Sequence, residues 1–273
     1  NGSGNPGRLK IQQTSASDYS LVSYVTPSRQ WNVGVGGASG VSKLQNNFFF
    51  EDVTGSAIPL ILDANSRISL SNNDSGGTGG TDSTSGNTIF GYLAGGTIDL
   101  NTIDNTFIGH KSGSGAKSDA QANTAIGSNS LSSLTSGDSN VAVGYQSAKN
   151  LTTGHSNVSI GNNAMGNSHL GCDKNVIIGS SAFFNGEVDE AVFIGFNAGG
   201  DATTTTDANG SVGIGKSSMN NLTSGAGNTA VGFESLKTEN DGSRNTAIGH
   251  KALTTLNTSA GNGETTAVGF EAG

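Results

Sequence analysis

The chain has 273 residues, a mass of 27.3 kDa, 43 Gly and a net charge of −8, with only 12% charged and 33% hydrophobic residues. Glycine at this frequency excludes a helical protein, because each interior Gly costs about 1 kcal/mol of helix stability, and three Pro without a Gly-x-y period exclude collagen. The acidic balance, with pI near 4.8, argues against electrostatic binding of nucleic acid. The lack of any long apolar run argues against membrane insertion by a helix.

The N-terminus shows no basic-then-apolar segment of the signal-peptide kind. The single Cys172 supports neither an intrachain disulfide nor a Cys-based zinc site. In chain order, the first predicted elements are short strands: RLKIQQ from Arg8, YSLVSYV from Tyr19, QWNVGVGG from Gln30, NNFFFED from Asn46, IPLILD from Ile58 and RISLS from Arg67. They predict a small β-rich domain over residues 1–71. Residues 72–86, NNDSGGTGGTDSTSG, read by composition as a linker.

From residue 87 to 273 one phrase recurs: Asn, Thr or Val, a variable residue, Ile, Val or Phe, then Gly. It reads NTIFG at Asn87, NTFIG at Asn105, NTAIG at Asn123, NVAVG at Asn140, NVSIG at Asn157 and NVIIG at Asn175. It continues as AVFIG at Ala191, SVGIG at Ser211, NTAVG at Asn228, NTAIG at Asn245 and TTAVG at Thr265. The anchoring glycines are Gly91, Gly109, Gly127, Gly144, Gly161, Gly179, Gly195, Gly215, Gly232, Gly249 and Gly269, spaced 16 to 20 residues apart.

A unit this short cannot bury a core alone, so the repeats are expected to stack as a parallel β-solenoid, a β-roll of about eleven coils of 17–18 residues. At about 4.8 Å per coil that is a rod on the order of 50 Å long. The second and fourth positions of the phrase are expected to face the coil's core, and the mostly small third position the outside. The apolar residue that often stands four places after the Gly (Leu131, Met165, Phe183, Met219, Leu236, Leu253) predicts a second short strand per coil. Asn87, Asn105, Asn123, Asn140, Asn157, Asn175, Asn228 and Asn245 open their coils and are expected to form a ladder of hydrogen-bonded amides. Apolar character on both strand faces predicts that chains pack together, as a homotrimer around a shared axis; a monomeric solenoid is the alternative.

These phrases resemble the repeats of phage tail fibres, especially fibres that carry a C-terminal self-cleaving intramolecular chaperone. They are similar also to the head repeats of trimeric autotransporter adhesins. The resemblance covers residues 87–273, and the segment from Trp31 to Leu70 resembles stretches that precede such repeats in tail fibres. It implies an all-β, trimeric, left-handed parallel β-roll that projects from a surface and binds a host. No cofactor or resident metal is expected, and the expected location is a virion tail fibre or the cell surface. Its partners would be other copies of itself and a host surface glycan or protein receptor. The coils here are longer and less regular than in adhesin heads. The chain stops within a repeat phrase, which reads as a fragment or a processed product.

Candidate chemistry is sparse. Gly2, Gly4 and Gly7 spell G-x-G-x-x-G, but no strand precedes them and no helix follows, so they are not a nucleotide site. GGTGGTD, Gly76 to Asp82, resembles a calcium-binding nonapeptide but occurs once, which reads as linker. His110 and His250 each follow a repeat Gly, where a trimer could gather three imidazoles around an axial metal; ordinary hydrogen-bonded or exposed histidines are the expectation. Glu234 and Glu271 are two coils apart, and the adjacent Asp189 and Glu190 would point to opposite faces of a strand. No pair therefore spans a groove as a glycosidase needs, and no G-x-S-x-G or H-E-x-x-H appears. A polysaccharide-degrading spike is thus the minority alternative, and a bacterial trimeric surface adhesin the nearer one.

Thr203 to Thr206 is one local run, not a rank of threonines suited to ice. Tyr92, Tyr145, Phe196, Phe233 and Phe270 follow repeat glycines and are the candidate receptor contacts; packing at coil corners is the plainer role. The longer loops from Gly199 to Gly210 and from Thr254 to Glu264 are further candidates. The expected function is that of a non-enzymatic, receptor-binding fibre or adhesin segment.

Overall fold

The computed structural model describes residues 20–28, 30–35, 48–52, 57–62, 68–70, 86–96, 98, 101–115, 119–168, 171–200, 208–258 and 263–273. The segment from Arg8, Gly2–Gly7, nearly all of the 72–86 linker, His169, Thr203–Thr206 and most of the loop that follows Gly199 lie outside the described residues. The chain divides into two units, 1–84 and 85–273.

In the first unit, β1 (Ser20–Val25), β2 (Gln30–Val35), β3 (Phe48–Asp52), β4 (Ala57–Leu62) and β5 (Ile68–Leu70) form one antiparallel sheet in chain order. Tyr24 pairs with Trp31 and Val33 with Phe50. The Ser23 hydroxyl donates to Asn32 Oδ1 at 2.6 Å across the first pair, giving the buried amide a partner.

In the second unit each phrase supplies one three-residue strand. These are β6 (Thr88–Phe90), β7 (Thr106–Ile108), β8 (Thr124–Ile126), β9 (Val141–Val143) and β10 (Val158–Ile160). After the short β11 (Asn167–Ser168) come β12 (Val176–Ile178), the short β13 (Asn185–Gly186), β14 (Val192–Ile194), β15 (Val212–Ile214), β16 (Thr229–Val231), β17 (Thr246–Ile248) and β18 (Thr266–Val268). All but β11 and β13 form a single parallel sheet of 11 strands in chain order. The register is strict: phrase position pairs with phrase position, as in Val141↔Val158↔Val176. Parallel strands in chain order, each a full coil apart, define a parallel β-solenoid with almost no helix.

The inward face is the reverse of the one expected. In β8 Ala125 is fully buried, while Thr124 is half-buried and Ile126 is 38% exposed. The same holds for buried Phe107, Ala142, Ser159, Ile177, Phe193, Ala230 and Ala247, all third-position residues. The reason is volume. A coil of 17–18 residues encloses a narrow interior, which has room for a small third residue only because bulk arrives from elsewhere. That bulk is the residue four places after the Gly, joined by Leu134, Leu151 and Leu222 three places further on.

Within a coil these two positions trade volume. Ala125 goes with Leu131, Ser159 with Met165, Gly213 with Met219, Ala230 with Leu236 and Ala247 with Leu253. Where the third residue is large its partner is Gly: Ile89 with Gly95, Phe107 with Gly113, Phe193 with Gly199. A Cβ on Gly113 would lie 2.5 Å from the Phe107 ring, and one on Gly199 2.6 Å from the Phe193 ring. The trade does not extend to Ala142 with Ala148, Ile177 with Phe183 or Ala267 with Gly273; there Phe183 stacks on Phe193 of the next coil at 5.4 Å.

A test follows from the trade. Phe193→Ala is expected to cost about 3–5 kcal/mol, the loss for a buried Phe that leaves a cavity. Gly199→Leu alone is expected to overpack the same space. The double variant should be more stable than either single one, because Leu131 already occupies the equivalent left-handed position at φ 46°. Denaturant titration of the four proteins as a double-mutant cycle measures the coupling, and simple additivity of the two losses would refute the trade.

Among the described residues the second strand per coil is found only where β11 pairs with β13. Elsewhere the chain after the Gly turns. Residues two and four places on take left-handed φ, as at Asn129 (58°) and Leu131 (46°), which a strand does not allow.

The ladder of opening amides has a definite geometry. From Asn87 to Asn157 each Oδ1 accepts both the backbone N–H and the Nδ2 of the next coil's Asn, whereas Asn228 Oδ1 accepts only the Asn245 N–H. From Asn105 to Asn87 and from Asn123 to Asn105 these are 2.9 and 3.0 Å; from Asn157 to Asn140 both are 3.0 Å. From Asn87 to Asn175 each Nδ2 also donates to a carbonyl across its own coil, as Asn123 to Gly137 and Asn157 to Cys172. Ala191 interrupts the ladder: its N–H donates to Asn175 Oδ1, and it offers no acceptor onward.

Two residues before the ladder a second column runs with the opposite polarity. Here the N–H of one coil donates to a side chain of the next: Gln121 to Asp138, Asp138 to His155 Nδ1, His155 to Asp173, Asp173 to Asp189 and Asp189 to Asn209. Cys172, just before the second column's Asp173, lies fully buried. Burial pushes its thiol up to about 11, partly offset by a backbone hydrogen bond with Val188, so it stays a protonated core residue.

Candidate functional site

Because the second and fourth positions point outward, the sheet carries two apolar or β-branched columns on its open face. The fourth-position column is Phe90, Ile108, Ile126, Val143, Ile160, Ile178, Ile194, Ile214, Val231, Ile248 and Val268. Seven of these eleven count among the exposed large hydrophobics of the chain. The second-position column is Thr at both ends and Val from Val141 to Val212. Together they form a stripe roughly 10 Å wide and on the order of 50 Å long. That is about the size of the largest apolar patch found on monomeric proteins, with the columns unbroken by charge.

Beside this stripe, just past the repeat glycines, runs a third column: Tyr92, His110, Ser128, Tyr145, Asn162, Ser180, Phe196, Lys216, Phe233, His250 and Phe270. Its side chains stack along the rod. Tyr92 lies on His110 at 5.7 Å, Phe233 on His250 at 5.0 Å and His250 on Phe270 at 5.2 Å, with interplanar angles of 8°, 17° and 14°. Lys216 Nζ sits between Phe196 and Phe233, 5.9 and 5.7 Å from their centroids.

Of the candidate receptor contacts, Tyr92, Tyr145, Phe196 and Phe270 are exposed, and Phe233 is half-buried with both faces taken by Lys216 and His250. His110 and His250 are members of these stacks. The column brings Phe196, Phe233 and Phe270 into one run; Tyr145, between Ser128 and Asn162, stands apart from it.

Glu234, Glu190 and Asp189 have structural partners. Glu234 accepts a 2.7 Å bond from Lys237 Nζ, and that bond, with the nearby charges of Lys237, Lys251 and Lys216, holds its carboxyl below the usual range against a smaller opposing effect of burial. Glu190 pairs with Lys174 at 2.9 Å, which raises the lysine. Asp189 accepts the Asp173 N–H, and Glu190 takes a left-handed φ of 57°, so the two stand in a turn and not on a strand. Among the described residues no group of three or more His, Cys, Asp or Glu is placed to hold a metal ion.

Two features were not read from the sequence. Glu239 is fully buried in the column that elsewhere holds Leu134, Leu151, Leu222 and Leu256. Its carboxylate accepts from the Asp241, Gly242 and Thr258 N–H groups and from the Thr258 hydroxyl, which ties the long loop after Thr254 to the preceding coil. Aligning ENDGSRN at Glu239 with LTSGDSN at Leu134 would have exposed the exchange. The other is an outer amide ladder, Asn150 to Asn167 at 3.0 Å and Asn167 to Asn185 at 2.7 Å.

Among the described residues no helix is long and apolar enough to cross a membrane. No protein-family model, no curated protein and no solved structure matches this chain.

Proposed function

We propose that this chain is a non-enzymatic structural segment of a fibre or adhesin, assembling as a homotrimer and attaching to a host or surface receptor. The observation that carries the reading is the unbroken outward column of Ile and Val along the solenoid. An apolar stripe of that length is stabilised when another surface removes it from water, at about 25 cal/mol per Å². A strictly periodic stripe is best matched by an equally periodic one, which a second copy of the same solenoid provides. The number three comes from the resemblance of the repeats to trimeric fibres and adhesin heads. Three parallel copies present every surface feature in triplicate, so weak receptor contacts gain avidity by effective concentration. The receptor would be a surface glycan or protein, met outside the cell or at a virion tail.

Light scattering after size exclusion tests this reading. A mass of about three times 27.3 kDa is expected. Ile160→Glu should then give a folded particle of one chain's mass, because a side chain 37% exposed in the single chain tolerates charge, whereas at a buried seam it does not. A wild-type particle of 27.3 kDa would overturn the proposal.

A further inference from the structure

We infer that the gap at Ser128 in the stacked column is a binding slot for one hexopyranose ring, sandwiched between His110 and Tyr145. The inference rests on the reading of the chain as a receptor-binding segment and names the ligand class for one part of its surface.

The argument starts from the rungs. Successive coils are held in register at this corner: the N–H groups of Lys111, Asn129, Gln146 and Asn163 donate to the carbonyls of Tyr92, His110, Ser128 and Tyr145, each at 2.9 Å. Where neighbouring rungs are both rings, the rings stack 5.0 to 5.7 Å apart and within 17° of parallel. Ring faces inside such a run are therefore covered by the protein itself, whereas faces next to a small rung are open.

Ser128 is the one place where a single small rung separates two rings. His110 and Tyr145 are two coils apart, about 10 Å, twice the stacking distance seen elsewhere in the column. One ring entering between them would contact His110 on one face and Tyr145 on the other, in the arrangement that His250 adopts between Phe233 and Phe270. Both walls are exposed, with Tyr145 at 48%, and the floor is half-buried Ser128.

The rim selects a sugar over an aromatic guest. A pyranose carries C–H groups on its faces and hydroxyls around its edge, so it needs apolar walls and hydrogen-bonding groups at once. The slot has both. Asn129 Nδ2 donates to Ser128 Oγ at 3.2 Å, leaving the hydroxyl's own proton free to turn toward a ligand. Gln146 and Lys111 follow Tyr145 and His110 in the chain at the same corner. The gap between Tyr145 and Phe196, floored by Asn162 and Ser180, spans three coils and is too wide for one ring to touch both walls.

Saturation-transfer NMR on the full chain tests the slot, with the methyl hexopyranosides of glucose, galactose and mannose as separate probes. Transfer to the ring C–H protons of at least one sugar is expected from the wild type and from Phe270→Ala. Tyr145→Ala should weaken it about tenfold, the change expected from losing one stacking face. Ser128→Phe, which supplies the missing rung in a column that already accepts Phe, should do the same, while the Cys172 thiol stays unreactive and so reports an intact fold. Undiminished transfer from Ser128→Phe, or none from the wild type to any of the three sugars, would overturn the slot. A printed glycan array separates the two readings. Capture of glycans by the wild type and by Ser128→Phe alike overturns the slot and leaves receptor binding standing, whereas no capture by the wild type overturns the slot and leaves a protein as the receptor of the proposed segment.

Discussion

Gly195→Ala is expected to destabilise the solenoid by more than about 4 kcal/mol, a loss in the exceptional range for one methyl group. Two independent effects combine. Gly195 has φ 139°, a region that side chains avoid because Cβ meets the backbone. A Cβ there would also lie 2.5 Å from the carbonyl oxygen of Gly215 and 2.6 Å from its carbon. The obstacle is main chain, so no rotamer relieves it. Moving the coils apart would break the bonds that hold β14 to β15, among them the Gly215 N–H to the Ile194 carbonyl at 2.7 Å.

The same column supplies the control. Gly269 has φ 135°, but the nearest atom to its Cβ would be Ala272 Cβ at 3.8 Å. Gly269→Ala carries the conformational penalty alone and is expected to cost about 1–3 kcal/mol. Thermal melts followed by circular dichroism, with the rate of Cys172 modification as a second probe, would measure both. Equal losses at the two positions would show that coil-to-coil contact contributes nothing.

The repeat made the parallel solenoid legible because eleven phrases at near-constant spacing leave few other ways to bury apolar residues. Which way the strands face was not legible. In TAI or VII both faces hold residues that suit a strand, and three residues give no run of alternation to choose by. The deciding information lay six residues apart, in the exchange of bulk between Ala125 and Leu131 or Phe193 and Gly199, and it acquires meaning only once the turn after the Gly brings those positions together. The direction of the error matters for function: the larger β-branched residues, not the small ones, form the outer face.

The aromatic column was visible as a set of positions after the repeat Gly, but its stacking was not. Stacking depends on register between coils. Whether a ring face is open depends on the residues about 17 places before and after it, so Tyr145 and Phe233, alike in sequence context, differ in what they can offer a ligand. Glu239 escaped notice for the same reason: a lone acid in a polar stretch signals nothing until its coil is laid over the others.

Asn140→Ala should be a damaging ladder substitution. Asn140 Nδ2 donates to Asn123 Oδ1 at 3.0 Å and to the Gly154 carbonyl at 2.8 Å, while its Oδ1 accepts the N–H and Nδ2 of Asn157, both at 3.0 Å. Alanine leaves the Asn157 N–H and the Gly154 carbonyl short of partners in a buried site that water does not reach. At about 1–3 kcal/mol for each stranded group, the expected loss is about 3–5 kcal/mol.

The reverse experiment is available in the native chain. Ala191 is buried at a ladder position and ends the run from Asn87 to Asn175. Ala191→Asn supplies an acceptor toward the Ser211 coil and is expected to stabilise by about 1 kcal/mol, the net worth of an ordinary hydrogen bond. The two changes move in opposite directions only if the amides act as a continuous ladder. Were Asn140→Ala to cost no more than an exposed Asn→Ala change, or Ala191→Asn to destabilise, the amides would be passengers of the fold, and coil stacking would rest on the β-strand bonds and the core alone.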